Sequence, residues 1–253
     1  MPETLNRTLS RGLEILELIS EHPDGLELHQ IAKAMQMPKS SAFNLLHTLM
    51  QYKYLRKPDN SPRYQLSLRM FEVGSAAVNH VDVTSVLRQY MADISRACNE
   101  TMHCGIMNGL DVLYIDKMES TQSIRMSSHV GVRMPLHATA MGKAFLACFS
   151  NEQVRGLYGD GTLAPLTKNT VTDMEELMRQ LEMVRETGYA TENQESNLNV
   201  SCVGVAIRGR DDLPAYALSI SAPSFRMGEK EIGEYGQLLL RAQRKIQRVL
   251  RAV

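Results

Sequence analysis

The sequence predicts an α+β fold with two domains and a helix between them, and two observations lead to this prediction. Helical periodicity over roughly the first 50 residues ends in two short strands, whereas later in the chain most strands meet in hairpins and have helices beside them. We therefore expect a winged helix-turn-helix over residues 1–66, a linker helix over 67–80 and a second domain over 81–253.

Composition narrows the class of protein. The 253-residue chain balances 28 basic against 28 acidic residues and is 43% hydrophobic, which excludes a disordered chain and a uniformly basic or acidic surface. No apolar run approaches the roughly 18 residues that span a bilayer, and the polar N-terminus lacks the apolar region of a signal peptide, so we expect no membrane partner. The four cysteines show no CxxC spacing, as expected for free thiols in a reducing cytoplasm.

Apolar residues at helical spacing predict the first three helices. A break at Gln36-Met37-Pro38 separates the second helix from the third, and such a short break is typical of a helix-turn-helix. Pro38 suits the first turn of the third helix, where its missing N–H costs nothing. The apolar stripes are Leu9, Leu13, Leu16 and Ile19, then Leu28, Ile31, Ala32 and Met35, then Ala42, Leu45, Leu46 and Leu49.

The outer face of the third helix carries small, amide and basic side chains. Residues 28–57 contain five basic residues and no acid, so this stretch would attract phosphate backbones. Amide and hydroxyl groups suit contacts with base edges, although a solvated face that happens to lack acids has the same pattern. The residues of this face are Ser40, Asn44, His47 and Gln51, flanked by Ser41 and Phe43, with Lys39 at the start of the helix.

Two short strands, 54–56 and 63–66, flank a Pro-rich turn and close the three helices as a wing. We expect Arg56, Lys57 and Arg63 to lie on this wing, near a DNA backbone. The predicted DNA contacts are Lys39, Ser40, Ser41, Asn44, His47, Arg56 and Lys57.

The second domain begins with a strongly periodic helix over 83–98, after the linker helix over 67–80. Beyond it, the patterns predict strands over 101–107, 112–117, 123–128, 201–207 and 215–221. They also predict three helices. One spans 138–149, one follows a capping box at Thr172 and ends at about Thr187, and one spans 229–250. No Gly-rich phosphate loop and no internal repeat are present.

Several blocks in the right order resemble one known family. They are MPKSS at 37–41, LLHTL at 45–49, YIDKMES at 114–120, GVRMPLHATAMGKA at 131–144, GYA at 188–190 and SISAP at 219–223. In these blocks the chain resembles the IclR family of bacterial transcription regulators over nearly its whole length. The resemblance implies a ligand-responsive DNA-binding repressor whose C-terminal sensor domain has a curved, GAF-like antiparallel sheet. It also implies a homodimer or tetramer on a pseudo-palindromic operator.

The same resemblance implies an effector site for a small organic acid such as a sugar acid, a keto acid or an aromatic acid. Ser219 and Ser221 are two residues apart on a strand, so both hydroxyls face one side and can donate to a carboxylate. Thr139 is a candidate cap for the next helix. The implied effector-binding residues are Met126, Met134, Ala140, Met141, Glu192, Cys202, Ser219 and Ser221.

The chain departs from the family pattern at several positions. Gln36 replaces a usual glycine before Pro38, which costs roughly 1–2 kcal/mol if the backbone there is left-handed. Phe43-Asn44 replaces a usual His-Arg pair, which removes one basic contact. Near the effector site, Gln194, Asn199 and Ala206 replace a usual acid, glycine and proline, so a different acid is expected.

Two other interpretations remain open on the sequence. One is a small-molecule enzyme with a thiol or carboxylate centre built on Cys202 or Cys104 and Glu192, and the other is a protein-binding sensor with a degenerate DNA module. A thiol centre needs a nearby base or cation, and His103, next to Cys104, points to the opposite face of a strand. We expect no catalytic residue, no cofactor and no metal, since His103-Cys104 has no second pair at ligand spacing.

Overall fold

A computed structural model describes residues 6–59, 61–78, 83–124, 128–159, 161–209 and 211–252. The chain forms two compact units, Met1–Val81 and Asp82–Val253. The first is helical with a small sheet and the second combines helices with a large antiparallel sheet, which confirms the α+β prediction. None of the helices in the described ranges combines the length and the apolar character that crossing a membrane requires.

The first unit is a winged helix-turn-helix. Its helices are α1 (Arg7–Ser20), α2 (Leu28–Ala34) and α3 (Lys39–Gln51), and its strands are β1 (Leu26–Glu27), β2 (Leu55–Arg56) and β3 (Arg63–Leu66). The strands pair in the order β1-β3-β2, so β2 and β3 form the wing and β1 adds a third strand that the sequence pattern did not reveal. Helix α4 (Leu68–Val78) follows where the linker helix was predicted.

The predicted apolar stripes build most of the core of this unit. Ile15, Ile31 and Leu46 are fully buried, and Leu16 and Ile19 pack with them. The first half of the α1 stripe behaves differently, because the side chains of Leu9 and Leu13 are 63% and 53% exposed. Spacing alone identified the helix, but it did not show where the core ends.

The turn between α2 and α3 contains the departure noted in the sequence. Gln36 has a φ of +47°, the left-handed region that glycine adopts at no steric cost. Its amide donates to the Lys33 carbonyl at 3.2 Å, and the Met37 amide donates to the Ala32 carbonyl at 3.0 Å. The turn therefore has the backbone that the family pattern implies, and this chain carries the strain of a side chain there.

The second unit has one six-stranded sheet with helices on both faces. Its helices are α5 (Val83–Cys98), α6 (Ala140–Leu146), α7 (Asn151–Tyr158), α8 (Met174–Thr187) and α9 (Glu229–Ala252), with 3-10 turns at Leu136–Ala138 and Ser224–Arg226. Its strands are β4 (Thr101–Asn108), β5 (Asp111–Met118), β6 (Arg133–Pro135), β7 (Ala190–Asn193), β8 (Val200–Arg208) and β9 (Pro214–Pro223). All neighbours are antiparallel, in the order β6-β5-β4-β9-β8-β7.

The two faces of this sheet bury different cores, because successive side chains on a strand point to opposite sides. Leu218 and Ile220 of β9 pack in one apolar cluster with residues of α5 and α9. Ala217 of β9 and Ala206 of β8 pack in the other with residues of α6 and α8. Ser219 and Ser221 continue the second face, beyond its apolar part.

Several local predictions for this unit were wrong. Ser123, Ile124 and Ser128 lie in no strand, residues 125–127 lie outside the described part, and the neighbour of β5 is β6 instead. This strand has only three residues and ends in proline, so it has no alternating pattern. The cap of α8 is Asp173 rather than Thr172, and its carboxylate accepts from the Glu176 amide at 2.8 Å.

The long apolar helix predicted over 138–149 is also shorter than expected, since α6 ends at Leu146. Helix α7 was missed although it has a capping box, in which the Ser150 hydroxyl accepts from the Gln153 amide. Strand β7 was missed because it has only four residues, too few for a periodic signal.

Candidate functional site

The outer face of α3 is open to solvent. Each of the five residues predicted on this helix to contact DNA has an exposed side chain: Lys39, Ser40, Ser41, Asn44 and His47. Helix α3 contains no acidic residue, and no side chain caps its first turn. The face therefore offers donors, acceptors and one cation to a polyanion, with no carboxylate to repel it.

Aromatic and amide groups organise the middle of this face. The rings of Phe43 and His47 stack with centroids 6.1 Å apart, and Phe43 is 48% exposed. Gln51 lies 3.5 Å from the His47 ring nitrogen, and the Thr48 hydroxyl donates to the Asn44 carbonyl at 2.9 Å. Phe43 was expected only to flank the face, but it is part of it.

The wing presents two of the three expected cations. Arg56 and Lys57 are exposed, and the Lys57 ammonium lies 5.2 Å from the centroid of the Tyr64 ring. Arg63 is half-buried, and its guanidinium donates to the Gly25 carbonyl at 3.1 Å. Arg63 thus ties β3 to the turn before β1, so this side chain has a structural contact within the unit.

In the second unit, the sheet aligns polar side chains in one row across three strands. Glu192 on β7 lies opposite Cys202 on β8, and Cys202 lies opposite Ser221 on β9. Directly opposite residues of an antiparallel sheet share a face. Three of the residues implied as effector ligands therefore lie side by side, and Ser219 occupies the same face in the next row.

Glu192 is the most unusual group of this row. It is 2% exposed, and its Oε1 accepts from the backbone amides of Glu195 and Ser196. Its Oε2 is buried and, among the described residues, has no hydrogen-bond partner. Burial raises the pKa of Glu192 above its usual value, against the opposing effect of these hydrogen bonds and of the neighbouring Cys202 side chain. A buried carboxylate oxygen without a donor costs free energy, so a donor that reached this oxygen would stabilise the face.

Cys202 lies between Glu192 and Ser221. Burial raises the pKa of its thiol well above the usual value, and the Glu192 carboxylate raises it further. The side chain nevertheless keeps part of its surface accessible. A thiol with a raised pKa is a weak nucleophile, so this arrangement does not support the thiol chemistry of the enzyme interpretation.

His103 belongs to this face, although the sequence analysis did not assign it to the effector site. It lies opposite Ser219 in the register of β4 and β9, and its Nδ1 is 3.3 Å from the Ser221 hydroxyl. Its Nε2 is 2.7 Å from the Ser128 hydroxyl. Burial lowers the pKa of His103 to about 3, and the charge of Lys117 contributes to this decrease, so the imidazole is neutral at physiological pH. Only the pairing of β4 with β9, which the sequence does not show, places His103 on this face.

Helix α6 begins against the same face. The Thr139 hydroxyl accepts from the Gly142 amide at 3.1 Å, so Thr139 caps the helix as expected. A Cβ on Gly204 would lie 2.9 Å from the Ala140 carbonyl carbon and 3.0 Å from the Met141 nitrogen. The start of α6 therefore touches the backbone of β8, two residues from Cys202, and Ala140 and Met141 lie near the polar row as predicted.

The two methionines expected as apolar walls are not brought into this row. Met134 lies on β6 opposite Val112, and β6 is three strands from β9. At about 4.8 Å per strand, this separation is roughly 14 Å. Met126 lies outside the described residues.

A buried ion pair supports the loop next to Glu192. Lys143 is 1% exposed, and its ammonium donates to Glu195 at 2.5 Å and to the Gln180 side-chain oxygen at 2.6 Å. The Thr170 hydroxyl also donates to the Glu195 carbonyl at 2.6 Å. These bonds hold the amide of Glu195 where it donates to Glu192, and nothing in the sequence pattern predicted them.

The family comparisons cover both units. The IclR helix-turn-helix domain matches residues 8–59, and the domain described as bacterial transcriptional regulator IclR C-terminal matches residues 75–248. The HTH-type transcriptional regulator KdgR of Escherichia coli K12 is 32% identical over 245 residues, covering 97% of this chain and 92% of that protein. The HTH-type transcriptional repressor AllR of the same strain is 29% identical over 244 residues, covering 96% and 90%.

Solved structures have the same fold. The crystal structure of Thermotoga maritima IclR matches with a TM-score of 0.82 and 31% identity, and the match covers 96% of this chain and 98% of that one. An IclR homologue from Microbacterium hydrocarbonoxydans, solved in complex with 4-hydroxybenzoate, matches with a TM-score of 0.83 and 22% identity, over 97% and 100% of the two chains.

Proposed function

Because this chain belongs to the IclR family of bacterial transcriptional regulators, we propose that it represses transcription from a pseudo-palindromic operator under the control of a small organic acid. It is a DNA-binding regulator and not an enzyme, because the relatives that it matches over 90% or more of their length are named as transcriptional regulators. We expect the protein to act in the cytoplasm, where operator DNA is found.

The proposed DNA interface is the exposed face of α3 with the wing. Lys39, Ser40, Ser41, Asn44 and His47 would contact the DNA from α3, and Arg56 and Lys57 from the wing. Asn44 is the residue best suited to read a base, because an exposed amide can both donate to and accept from an adenine edge. Lysine and arginine on the wing would contact phosphates, which fixes the register but carries no sequence information.

Replacing Asn44 with alanine should reduce the preference for the operator over random DNA while leaving non-specific binding intact. One bidentate base contact contributes about 1–3 kcal/mol of discrimination, which corresponds to roughly 5–150-fold in operator affinity. Titration of the operator region and of a random duplex by fluorescence anisotropy measures both affinities. The matched control is Asn108→Ala at the exposed tip of the β4–β5 hairpin, which should change neither. Equal preference in wild type and N44A would remove Asn44 from the interface.

The proposed effector site is the polar row on the sheet. The observation that carries it is the buried Oε2 of Glu192, for which the described residues supply no hydrogen-bond donor. A ligand hydroxyl would satisfy this oxygen. The effector's own carboxylate would be repelled there, so it belongs near the Ser219 and Ser221 hydroxyls and the start of α6.

We therefore favour an acid that carries at least one hydroxyl, such as a sugar acid or a hydroxylated aromatic acid. The Microbacterium homologue of the same fold was solved with 4-hydroxybenzoate, which has both groups. A thermal-shift screen of sugar acids, keto acids and aromatic acids tests the proposal, because a ligand that binds only the folded state raises its melting temperature. Stabilisation by hydroxy acids and not by matched acids without hydroxyls is the expected result. A screen in which no acid stabilises the protein would contradict an effector site.

We also propose that the chain acts as a homodimer or tetramer, because the first unit exposes apolar side chains that a second copy would cover. A groove of about 770 Å³ is lined by Leu9, Leu13, Leu45, Leu49, Met70 and Val73. Exposed apolar patches of this kind mark interaction sites, and a two-fold operator favours a two-fold protein.

Leu13→Glu should shift the assembly to a smaller species, because it places a carboxylate in this groove. Analytical ultracentrifugation at micromolar concentration measures the mass of the assembly. Leu110→Glu, at the β4–β5 hairpin and 40% exposed in the wild type, serves as the control and should leave the assembly unchanged. An unchanged mass for L13E would place the oligomer interface elsewhere.

Regulation follows from a difference in affinity. An effector changes operator binding only if it binds one state of the regulator more tightly than the other, and DNA then changes effector affinity by the same factor. We propose that α4 links the effector site to the spacing of the two DNA-binding units. Operator affinity that is the same with and without saturating effector would contradict this coupling.

A further inference from the structure

A groove of about 450 Å³ lies between the start of α1 and the turn into α3. Its lining includes Arg7, Thr8 and Arg11 from α1, and Ser41 and Asn44 from α3. None of the described residues that line it is acidic. The groove, which we call the arginine groove, adjoins the predicted DNA face because it shares Ser41 and Asn44 with that face.

The two arginines of this groove are neighbours on one side of α1. Residues four apart on a helix face each other, and two like charges at this spacing are destabilising by a few tenths of a kcal/mol. In the described part of the chain, neither Arg7 nor Arg11 forms a salt bridge, and α1 has no acidic residue in its first turn. A single anion between the two guanidinium groups would relieve this repulsion.

Arg11 is held in place for such a contact. One of its guanidinium nitrogens donates to the Met35 carbonyl at 3.2 Å, which ties α1 to the end of α2. The remaining N–H groups are available, since a guanidinium has five. Arg7 is exposed, so it can close on an anion from the solvent side. Arginine binds phosphate oxygens through paired N–H groups, and the hydroxyl of Ser41 adds a further donor.

We propose that the arginine groove holds one backbone phosphate of the DNA, beside the bases that α3 contacts. The proposal rests on the proposed function and adds Arg7 and Arg11 to the interface, where the sequence analysis had only α3 and the wing. A DNA strand that follows the α3 face would carry its phosphate to this groove, because Ser41 and Asn44 belong to both.

The salt dependence of DNA binding tests this proposal. Each phosphate contact contributes about 0.9 to the slope of log affinity against log salt. The double variant R7Q/R11Q should therefore lower the slope by about 0.9 for each DNA-bound protomer, on a random 30-base-pair duplex and on the operator region alike. R7Q alone removes an exposed side chain, so it should fold normally and show part of the loss. Circular dichroism melts confirm that each variant is folded.

Two controls separate charge from specific contact. The charge-preserving R7K/R11K should keep most of the slope. The double variant R155Q/R179Q also removes two cations, but Arg155 and Arg179 lie in the second unit and pair with Glu175 and Glu176, so it should leave the slope unchanged.

The outcomes distinguish this proposal from the proposed function. A folded R7Q/R11Q with the wild-type slope would overturn the phosphate contact while leaving the regulator function intact. An equal loss in R155Q/R179Q would also overturn it, because overall charge would then explain the effect. A wild-type protein without salt-dependent DNA binding would overturn the proposed function and this proposal together.

Discussion

Replacing Gly142 with alanine should destabilise the second unit by about 3 kcal/mol or more, the upper range for overpacking a core. An added Cβ would lie 2.1 Å from the Leu136 carbonyl oxygen and 2.3 Å from the Leu136 Cα. Backbone atoms cannot move aside as a side-chain end can, so α6 would have to separate from the 3-10 turn before it. A urea titration followed by circular dichroism gives the free energy of unfolding.

The matched control for this prediction is Gly156→Ala in α7. A Cβ at Gly156 meets nothing within 4 Å, so the same substitution should stabilise by about 0.5–1 kcal/mol through helix propensity alone. If G142A were as stable as wild type, the close packing of α6 on the Leu136 turn would be wrong. The position that we give to Ala140 and Met141 at the proposed effector site would then be wrong as well, because the same helix carries them.

The second large effect is expected for the double variant S219A/S221A. It removes both hydroxyls proposed to donate to the effector carboxylate, and a hydrogen bond to a charged group contributes about 1.5–3 kcal/mol. Affinity for an acid that stabilises the wild type should fall on the order of 100-fold or more. Isothermal titration calorimetry measures this loss, and operator binding without effector should not change.

Ser201→Ala is the control on the same sheet. Ser201 is 3% exposed like the other two serines, but it is opposite Ala222 and therefore on the other face, where its hydroxyl donates to the Asn193 side chain. S201A should bind the effector as the wild type does. Effector affinity that survives in a folded S219A/S221A would exclude the serine pair from the site.

Much of the first unit was predictable because local patterns determine it. The apolar stripes of α2 and α3 and the break between them identified the helix-turn-helix, and the exposed outer face of α3 followed from helical spacing. The family pattern also anticipated the left-handed backbone at Gln36. The hydrogen bond of Arg63 could not be predicted, because its partner is the carbonyl of Gly25, 38 residues away in the chain.

The proposed effector site was predictable only in part. Ser219 and Ser221 share a face by strand alternation, which the sequence alone shows. The row that joins Ser221 to Cys202 and Glu192 depends on the order of the strands, and that order is a long-range property. For the same reason the sequence did not place His103 on this face, and it did not show that Met134 lies three strands from β9.

The sequence by itself determined the family, the helix-turn-helix and the residue types available to DNA and to an acid, because these are written in local spacing and in motif blocks. Tertiary structure alone decided that Glu192 keeps one buried oxygen without a donor, that Lys143 and Glu195 hold the neighbouring loop, and that Arg7 and Arg11 face a groove beside α3. The physical reason is that burial, hydrogen-bond satisfaction and charge proximity depend on contacts between residues far apart in the chain. Periodicity describes only which side of its own helix or strand a residue occupies.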